Sequence, residues 1–338
     1  MGIETASIIE WVIKAAAILV FCTAGFAYVT LYERKVLARM QVRWGPNRAG
    51  PRGLLQPVAD GIKLIFKEEL IPVKADKVIF ILAPVMTVIP ALIITGVVPW
   101  GPVIHLFGRD IPLQLADINL AVLYIMSIAS ISVYGITLGG WSSNNKYAML
   151  GGLRSTAQMI SYELALALAL VGPIMIAGSM SLNKIVEAQA NSVPFILLQP
   201  LAAVIYMIAV IAEVNRSPFD MPEAEQELTA GYHTEYSGMK FALFFMAEYI
   251  KMIAVSTIGA TVFLGGYLGP FVFDLPWLGP IYLIGKVAIL LYGFIWIRAT
   301  LPRIRYDRLM ALGWKVLFPL ALLNVILTGF GIVLFGGK

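Results

Sequence analysis

Eight stretches of this chain are apolar for about twenty residues each, near 8–31, 78–98, 116–140, 157–179, 195–213, 239–264, 281–301 and 314–335. A helix of roughly 20 residues crosses a hydrocarbon layer of roughly 30 Å. In that layer backbone N–H and C=O groups find no water, so each run must satisfy its own hydrogen bonds as a helix. The runs are too long and too evenly apolar for the alternating strands of an outer-membrane barrel. The fold class expected is therefore all-α, a polytopic transmembrane helical bundle over residues 1–338 as a single domain. Composition agrees with this, with a mean hydropathy of +0.83 and only 13% charged residues.

The basic residues are unevenly distributed between those runs. Nineteen of the 25 Lys and Arg fall in or beside the first, third, fifth and seventh gaps, and the opposite side holds Arg109, Lys184 and Lys338. Cytoplasmic loops collect Lys and Arg, so the odd gaps should face inward and both termini outward. The net charge of +5 is then mainly a topology signal and does not point to nucleic acid. The first run, flanked by Glu4 and Glu10, lacks the basic start and small-residue cleavage site of a secretory signal. One cysteine, Cys22, and two histidines, His105 and His233, cannot supply a four-thiolate iron–sulfur site or a bis-histidine haem. Neither a phosphate-binding glycine loop nor a dinucleotide fingerprint occurs. No metal or flavin site is expected on this chain.

The inward gaps hold the unusual polar chemistry. In the first, residues 32–77, "GPNRAGPRG" breaks the helix and an amphipathic segment of about 53–68 follows. Leu54, Leu55, Val58, Ile62, Ile65 and Phe66 share one face, opposite Asp60, Lys63 and Lys67. Too short and too charged to span, it should lie on the membrane surface. It is either a simple lipid anchor or one wall of an entrance for an amphiphilic ligand. In the third gap, Ser155 and Gln158 read as a capping box for the next span, and Glu163 follows just inside it. Glu163 is then either a dipole partner at a helix start or a functional carboxylate.

The fifth gap, about 214–238 and bordered by Glu213, reads "EVNRSPFDMPEAEQELTAGYHTEYSG" and carries six of the chain's 20 acids, with Arg216 its only Lys or Arg. A solvated acidic loop is one reading. The interleaved Pro, Phe, Met and Tyr favour a packed loop whose crowded carboxylates Glu223, Glu225 and Glu227 raise one another's pKa, as a proton relay would need. Beyond it, "AEYIK" puts Glu248 and Lys251 three apart on one helix face, within reach of each other. Charge inside a membrane helix is costly and signals function, although a static Glu248–Lys251 pair would also explain it. The basic seventh gap, "RATLPRIRYDRLMALGWK", needs no more than topology and headgroup attraction.

Taken together, "ERKVLARMQVRWGPNRAGPRGLLQPVADGIKLIFKE", "GWSSNNKYAMLGGLRSTAQMISYE", "EVNRSPFDMPEAEQELTAGYHTEYSGMKFALFFMAEY" and "LPRIRYDRLMALGWK" closely resemble the NuoH family, the membrane subunit 1 type of respiratory complex I, the proton-pumping NADH:quinone oxidoreductase. The resemblance runs from about Tyr32 to Leu320. It implies an eight-helix subunit at the joint between the peripheral and membrane arms, with no catalysis by the chain alone. Its partners would be the peripheral-arm quinone-site subunits and adjacent small membrane subunits. The substrate implied is a quinone, ubiquinone or menaquinone, reduced by iron–sulfur clusters on partner subunits. Carried over by motif, Arg34, Arg43, Asp60 and Lys63 belong to the quinone entrance and tunnel. Phe219, Asp220, Glu223, Glu225 and Glu227 belong to the loop facing the headgroup, and Glu163, Glu213, Glu235 and Glu248 to a proton path into the membrane. Lys251 departs from the family, which often has an uncharged residue there. The membrane implied is the bacterial cytoplasmic membrane, or the mitochondrial inner membrane, with both termini outside. Rival readings are the related subunit of a membrane-bound hydrogenase, a stand-alone cation/proton transporter built on Glu248 and Lys251, and a membrane anchor.

Overall fold

The computed structural model describes residues 5–106, 109–220 and 231–335. Among them, seven helices are long and apolar enough to cross a membrane, and the chain is a predominantly helical integral membrane protein. The elements are α1 (Thr5–Met40), α2 (Gln56–Phe66), α3 (Lys77–Gly96), α4 (Ala121–Ser142), α5 (Lys146–Ala177), α6 (Leu182–Ala190), α7 (Phe195–Leu198), α8 (Pro200–Glu213), α9 (Gly238–Phe263), α10 (Leu278–Thr300), α11 (Tyr306–Leu312) and α12 (Phe318–Phe335). A two-stranded hairpin, β1 (Ile104–Leu106) with β2 (Arg109–Ile111), lies between α3 and α4, Ile104 opposite Ile111.

The fifth apolar run does not form one spanning helix. It breaks at Gln199–Pro200 into α7 and α8, because a residue before proline is driven off the helical region and proline has no N–H to donate. Gln199 takes φ −129° and ψ 55°. Its amide is knitted to α12, donating to Thr328 Oγ1 at 2.8 Å and accepting from Asn324 Nδ2 at 3.0 Å. These side chains compensate the broken backbone where lipid could not. At about 1.5 Å per residue, α8 falls well short of a full crossing.

Two other helices are longer than their apolar runs. α1 continues through the basic segment to Met40, and α5 starts at Lys146, capped by Asn145, whose Oδ1 accepts from Tyr147 N at 3.0 Å. Ser155 and Gln158 are therefore buried in the middle of α5, and the capping-box reading is overturned. Glu163 likewise sits deep in that helix and away from a helix start.

α9 is the most enclosed spanning helix and α1 the least. α9 packs on α1, α3 and α10, while α4, α5, α8 and α12 close the other side through α3–α4, α4–α5, α5–α8 and α5–α12 contacts. The surface helix α2 leans on α1 and α9. Its apolar residues Val58, Ile62, Ile65 and Phe66, with Leu54 and Leu55 just before it, are left exposed by the rest of the chain. Where α5 meets the turn at Gly231–His233, both chains use glycine. A Cβ on Gly151 would lie 2.7 Å from the Gly231 Cα, and Gly231 itself has φ +57°.

Candidate functional site

The site is built on the end of α8. Val214, Asn215 and Arg216 close the helix in a left-handed cap, with Asn215 at φ +56°. Asn215 N donates to Ala212 O at 3.2 Å and Arg216 N to Ile211 O at 3.1 Å, the paired bonds that end many helices. Gln158 of α5 then fastens the turn, its Nε2 lying 2.8 Å from both Ala212 O and Phe219 O. This turn carries Glu213 and Arg216 into the interior between α1, α5 and α9.

Two ion pairs result. Lys251 Nζ of α9 lies 3.0 Å from Glu213 Oε1 and 3.4 Å from Ser132 Oγ of α4. Arg216 Nε lies 2.7 Å from Glu248 Oε1, and its Nη1 is 3.5 Å from Glu33 Oε1. The expected Glu248–Lys251 pair is thus replaced. The two residues do share a helix face, but Lys251 finds its opposite charge on the last residue of α8 and Glu248 on the turn that follows it. Glu33 also accepts from Tyr249 Oη at 2.8 Å and is bonded by Arg298 of α10. Arg216 stacks over the Tyr249 ring at 4.4 Å. Glu33, Arg216, Glu213 and Lys251 are each less than a tenth exposed. Burial alone would lower the Arg216 pKa, but Glu248, Tyr249 and Glu33 outweigh it and push the guanidinium further up, so it is a permanent cation.

A cavity of about 40 Å³ lies between the two pairs, lined by Glu213, Lys251, Glu248, Asn215, Ser132 and Thr87 among others. That is room for a few waters, and the wall is polar enough to hold them. Glu163 of α5 is bonded by Ser130 of α4 and lies within electrostatic reach of Glu213 and Lys251. Glu163, Glu213 and Glu248 therefore come together.

Glu235 is elsewhere, accepting from Asn145 Nδ2 at 2.7 Å in a depression it shares with Lys74, Lys146 and Tyr147. Next to Glu33 on α1, Arg34 Nη1 pairs with Asp60 Oδ2 of α2 at 2.7 Å. Lys63 is exposed in the last turn of α2, and Arg43, exposed beyond α1, donates to Gln41 Oε1 at 2.7 Å. Phe219 is buried against Tyr162, ring centroids 5.6 Å apart, and Asp220 pairs with Arg303 at 3.1 Å. Glu223, Glu225 and Glu227 lie outside the described residues.

Glu33, Arg298 and Arg303 are charged partners of the candidate residues that the sequence does not single out. Glu33 stands in a basic stretch, though the unbroken helical composition of "YERKVLARM" is a signal that α1 carries it inward. The seventh gap supplies Arg298 and Arg303 as partners of Glu33 and Asp220, so it does more than set topology. Near the site, His233 is buried among Tyr232, Phe241 and Phe244, and burial depresses its pKa to about 3. Burial lifts the Tyr236 phenol to about 12 against a weak bond with Ser142.

This is a multi-pass membrane bundle whose interior holds linked carboxylate–cation pairs around a water-sized cavity, beside a surface helix with an open apolar face. The chain belongs to the NADH dehydrogenase family, whose pattern matches residues 13–329. It is 52% identical to the second of the NADH-quinone oxidoreductase H subunits of Geobacter metallireducens over 97% of each chain. It is 54% identical to the NADH-quinone oxidoreductase H subunit of Thermomicrobium roseum over 90% of each. The Syntrophotalea carbinolica protein of the same name is 51% identical over 94% of each.

Proposed function

We propose that this chain, as a single transmembrane domain, is the H-type membrane subunit of a proton-translocating NADH:quinone oxidoreductase. It contributes one wall of a quinone chamber and a charged path by which quinone reduction drives proton movement. The inward face carries the acidic segment, and peripheral subunits bearing iron–sulfur clusters dock there and deliver electrons. Small membrane subunits flank the bundle. Arg34, Arg43, Asp60 and Lys63 serve the quinone mouth beside α2, and Phe219, Asp220, Glu223, Glu225 and Glu227 serve the inner chamber, with Glu235 at its edge. Glu163, Glu213 and Glu248 line the path into the membrane.

The observation that carries this reading is the cavity between Glu213–Lys251 and Glu248–Arg216, with Glu163 alongside. Carboxylates around a few waters can exchange protons. A charge appearing at one end, as on a reduced quinone, shifts the proton affinity of the others through Coulomb interactions that a low-dielectric interior strengthens. α1 spans the two regions, since adjacent Glu33 and Arg34 engage the charge cluster and the surface helix respectively.

Glu163 offers the clean test because its bonded partner, Ser130, is neutral. Glu163→Gln keeps a hydrogen-bonding amide and strands no cation. A positioned proton-transfer group typically contributes about 10²–10⁴-fold. The assembled Glu163→Gln complex should therefore lose at least about tenfold of NADH-driven proton pumping in membrane vesicles, and Glu163→Asp should retain part of it. Undiminished pumping by an assembled Glu163→Gln complex would remove Glu163 from the path.

A further inference from the structure

Lys251 stands at the centre of the charged cavity. Its ammonium has Glu213 at 3.0 Å and the Ser132 hydroxyl at 3.4 Å. Both Lys251 and Glu213 are nearly sealed from solvent, at 8% and 4% exposure. Among the described residues, four titratable groups face this ammonium. Glu213 comes from α8, Glu163 from α5, Glu248 from its own helix α9, and Tyr232 from the turn at Gly231–His233. Arg216 lies behind Glu248, and α3 and α4 present only the hydroxyls of Thr87 and Ser132.

The three carboxylates are not equivalent. Glu213 and Glu248 each have a cation in direct contact, Lys251 at 3.0 Å and Arg216 at 2.7 Å, whereas Glu163 is bonded by the neutral Ser130 hydroxyl. An ammonium at contact distance favours the ionised form of its carboxylate strongly where water is scarce, and removing one member of such a pair leaves an uncompensated buried charge.

We propose that Lys251 is a positioning residue that holds Glu213 as its fixed counter-ion, so that protons crossing this cavity are held by Glu163 and not by Glu213. This rests on the proton path proposed above and assigns roles within it. The charge count follows directly. If the ammonium is replaced by a neutral side chain, the cavity loses one positive charge, and Glu213 takes up one proton from the bulk solvent, by way of the cavity water, to become a neutral carboxyl.

The test uses the purified full-length chain with its co-purifying subunits. Lys251→Met should show a new protonated-carboxyl C=O band in the infrared spectrum, absent from the wild type and absent again in Lys251→Met/Glu213→Gln. Lys251→Arg should show no such band. Glu213→Gln alone strands the lysine and should reduce the amount of assembled complex, with the double variant recovering assembly and pumping better than Glu213→Gln alone. If Lys251→Met fails to assemble, recovery of assembly in the double variant supports the pair, and failure of the double overturns it. A Lys251→Met complex without the new band, or a wild type that already shows a Glu213 band, also overturns it. These spectra are independent of turnover, so a chain that never supports NADH-driven pumping would refute the proposed function and leave the Lys251–Glu213 assignment standing.

Discussion

Replacing Arg216 by methionine should be among the most damaging single changes in this protein. The guanidinium is 5% exposed and touches Glu248 at 2.7 Å, Glu33 at 3.5 Å and the Tyr249 ring at 4.4 Å. Glu33 would survive the loss, since Arg298 and the Tyr249 hydroxyl still serve it. Glu248 would lose the cation in contact with it. Breaking a buried pair from one side costs about 3–5 kcal/mol. The lost cation–π contact adds about 0.5–2 kcal/mol. The expected destabilisation is therefore about 3.5–7 kcal/mol, enough to deplete the assembled complex. Removing the other ion as well should recover much of it, because a buried pair exchanged for apolar side chains of similar size is often neutral. The assay is unfolding of the full chain in dodecyl maltoside micelles titrated with SDS, comparing Arg216→Met, Glu248→Met and the double as a mutant cycle. Should Arg216→Met cost less than about 1 kcal/mol, the size expected of an exposed pair, or should the second substitution worsen the first, the claim that these charges depend on each other fails.

Two further outcomes follow from named side chains. His233 is held neutral, its pKa depressed from 6.5 to about 3 by burial. The unfolded chain therefore binds a proton below pH 6.5 that the folded chain refuses, so this residue's stabilisation is complete above that pH and is lost as pH falls toward 3. At about 1.4 kcal/mol per unit, wild type should lose about 2 kcal/mol more than His233→Phe between about pH 7.5 and 5. Equal acid sensitivity of the two proteins in the same micelle assay would refute this. On α2, Leu55→Asp or Ile62→Lys should weaken membrane seating by about 1.5–3 kcal/mol each and slow reduction of long-tailed quinones more than short, water-soluble ones. Equal slowing of both would speak for general damage and against a lipid-side doorway.

What the sequence by itself determined was whatever the solvent imposes locally. A membrane helix satisfies its backbone within its own residues, so run length and composition located α3, α4, α9 and α10 to within a few residues. The amphipathic period of 54–66 marked α2, whose apolar residues the rest of this chain leaves exposed. The break in the fifth run was not legible in the sequence, because Pro200 stands inside that run just as Pro84, Pro90 and Pro173 stand inside helices that continue unbroken. The tertiary structure alone decided how the charges are partnered. Lys251 lies three residues from Glu248 yet pairs with Glu213, 38 positions earlier in the chain. Glu33, set in a basic stretch of sequence, meets Arg216 and Arg298. Helical spacing states which side chains share a face, but the sites of lowest energy for a buried ion depend on which neighbouring helix brings an opposite charge within contact distance. That distance is set by how α1, α8, α9 and α10 pack, a relation between segments far apart in sequence that no local period records.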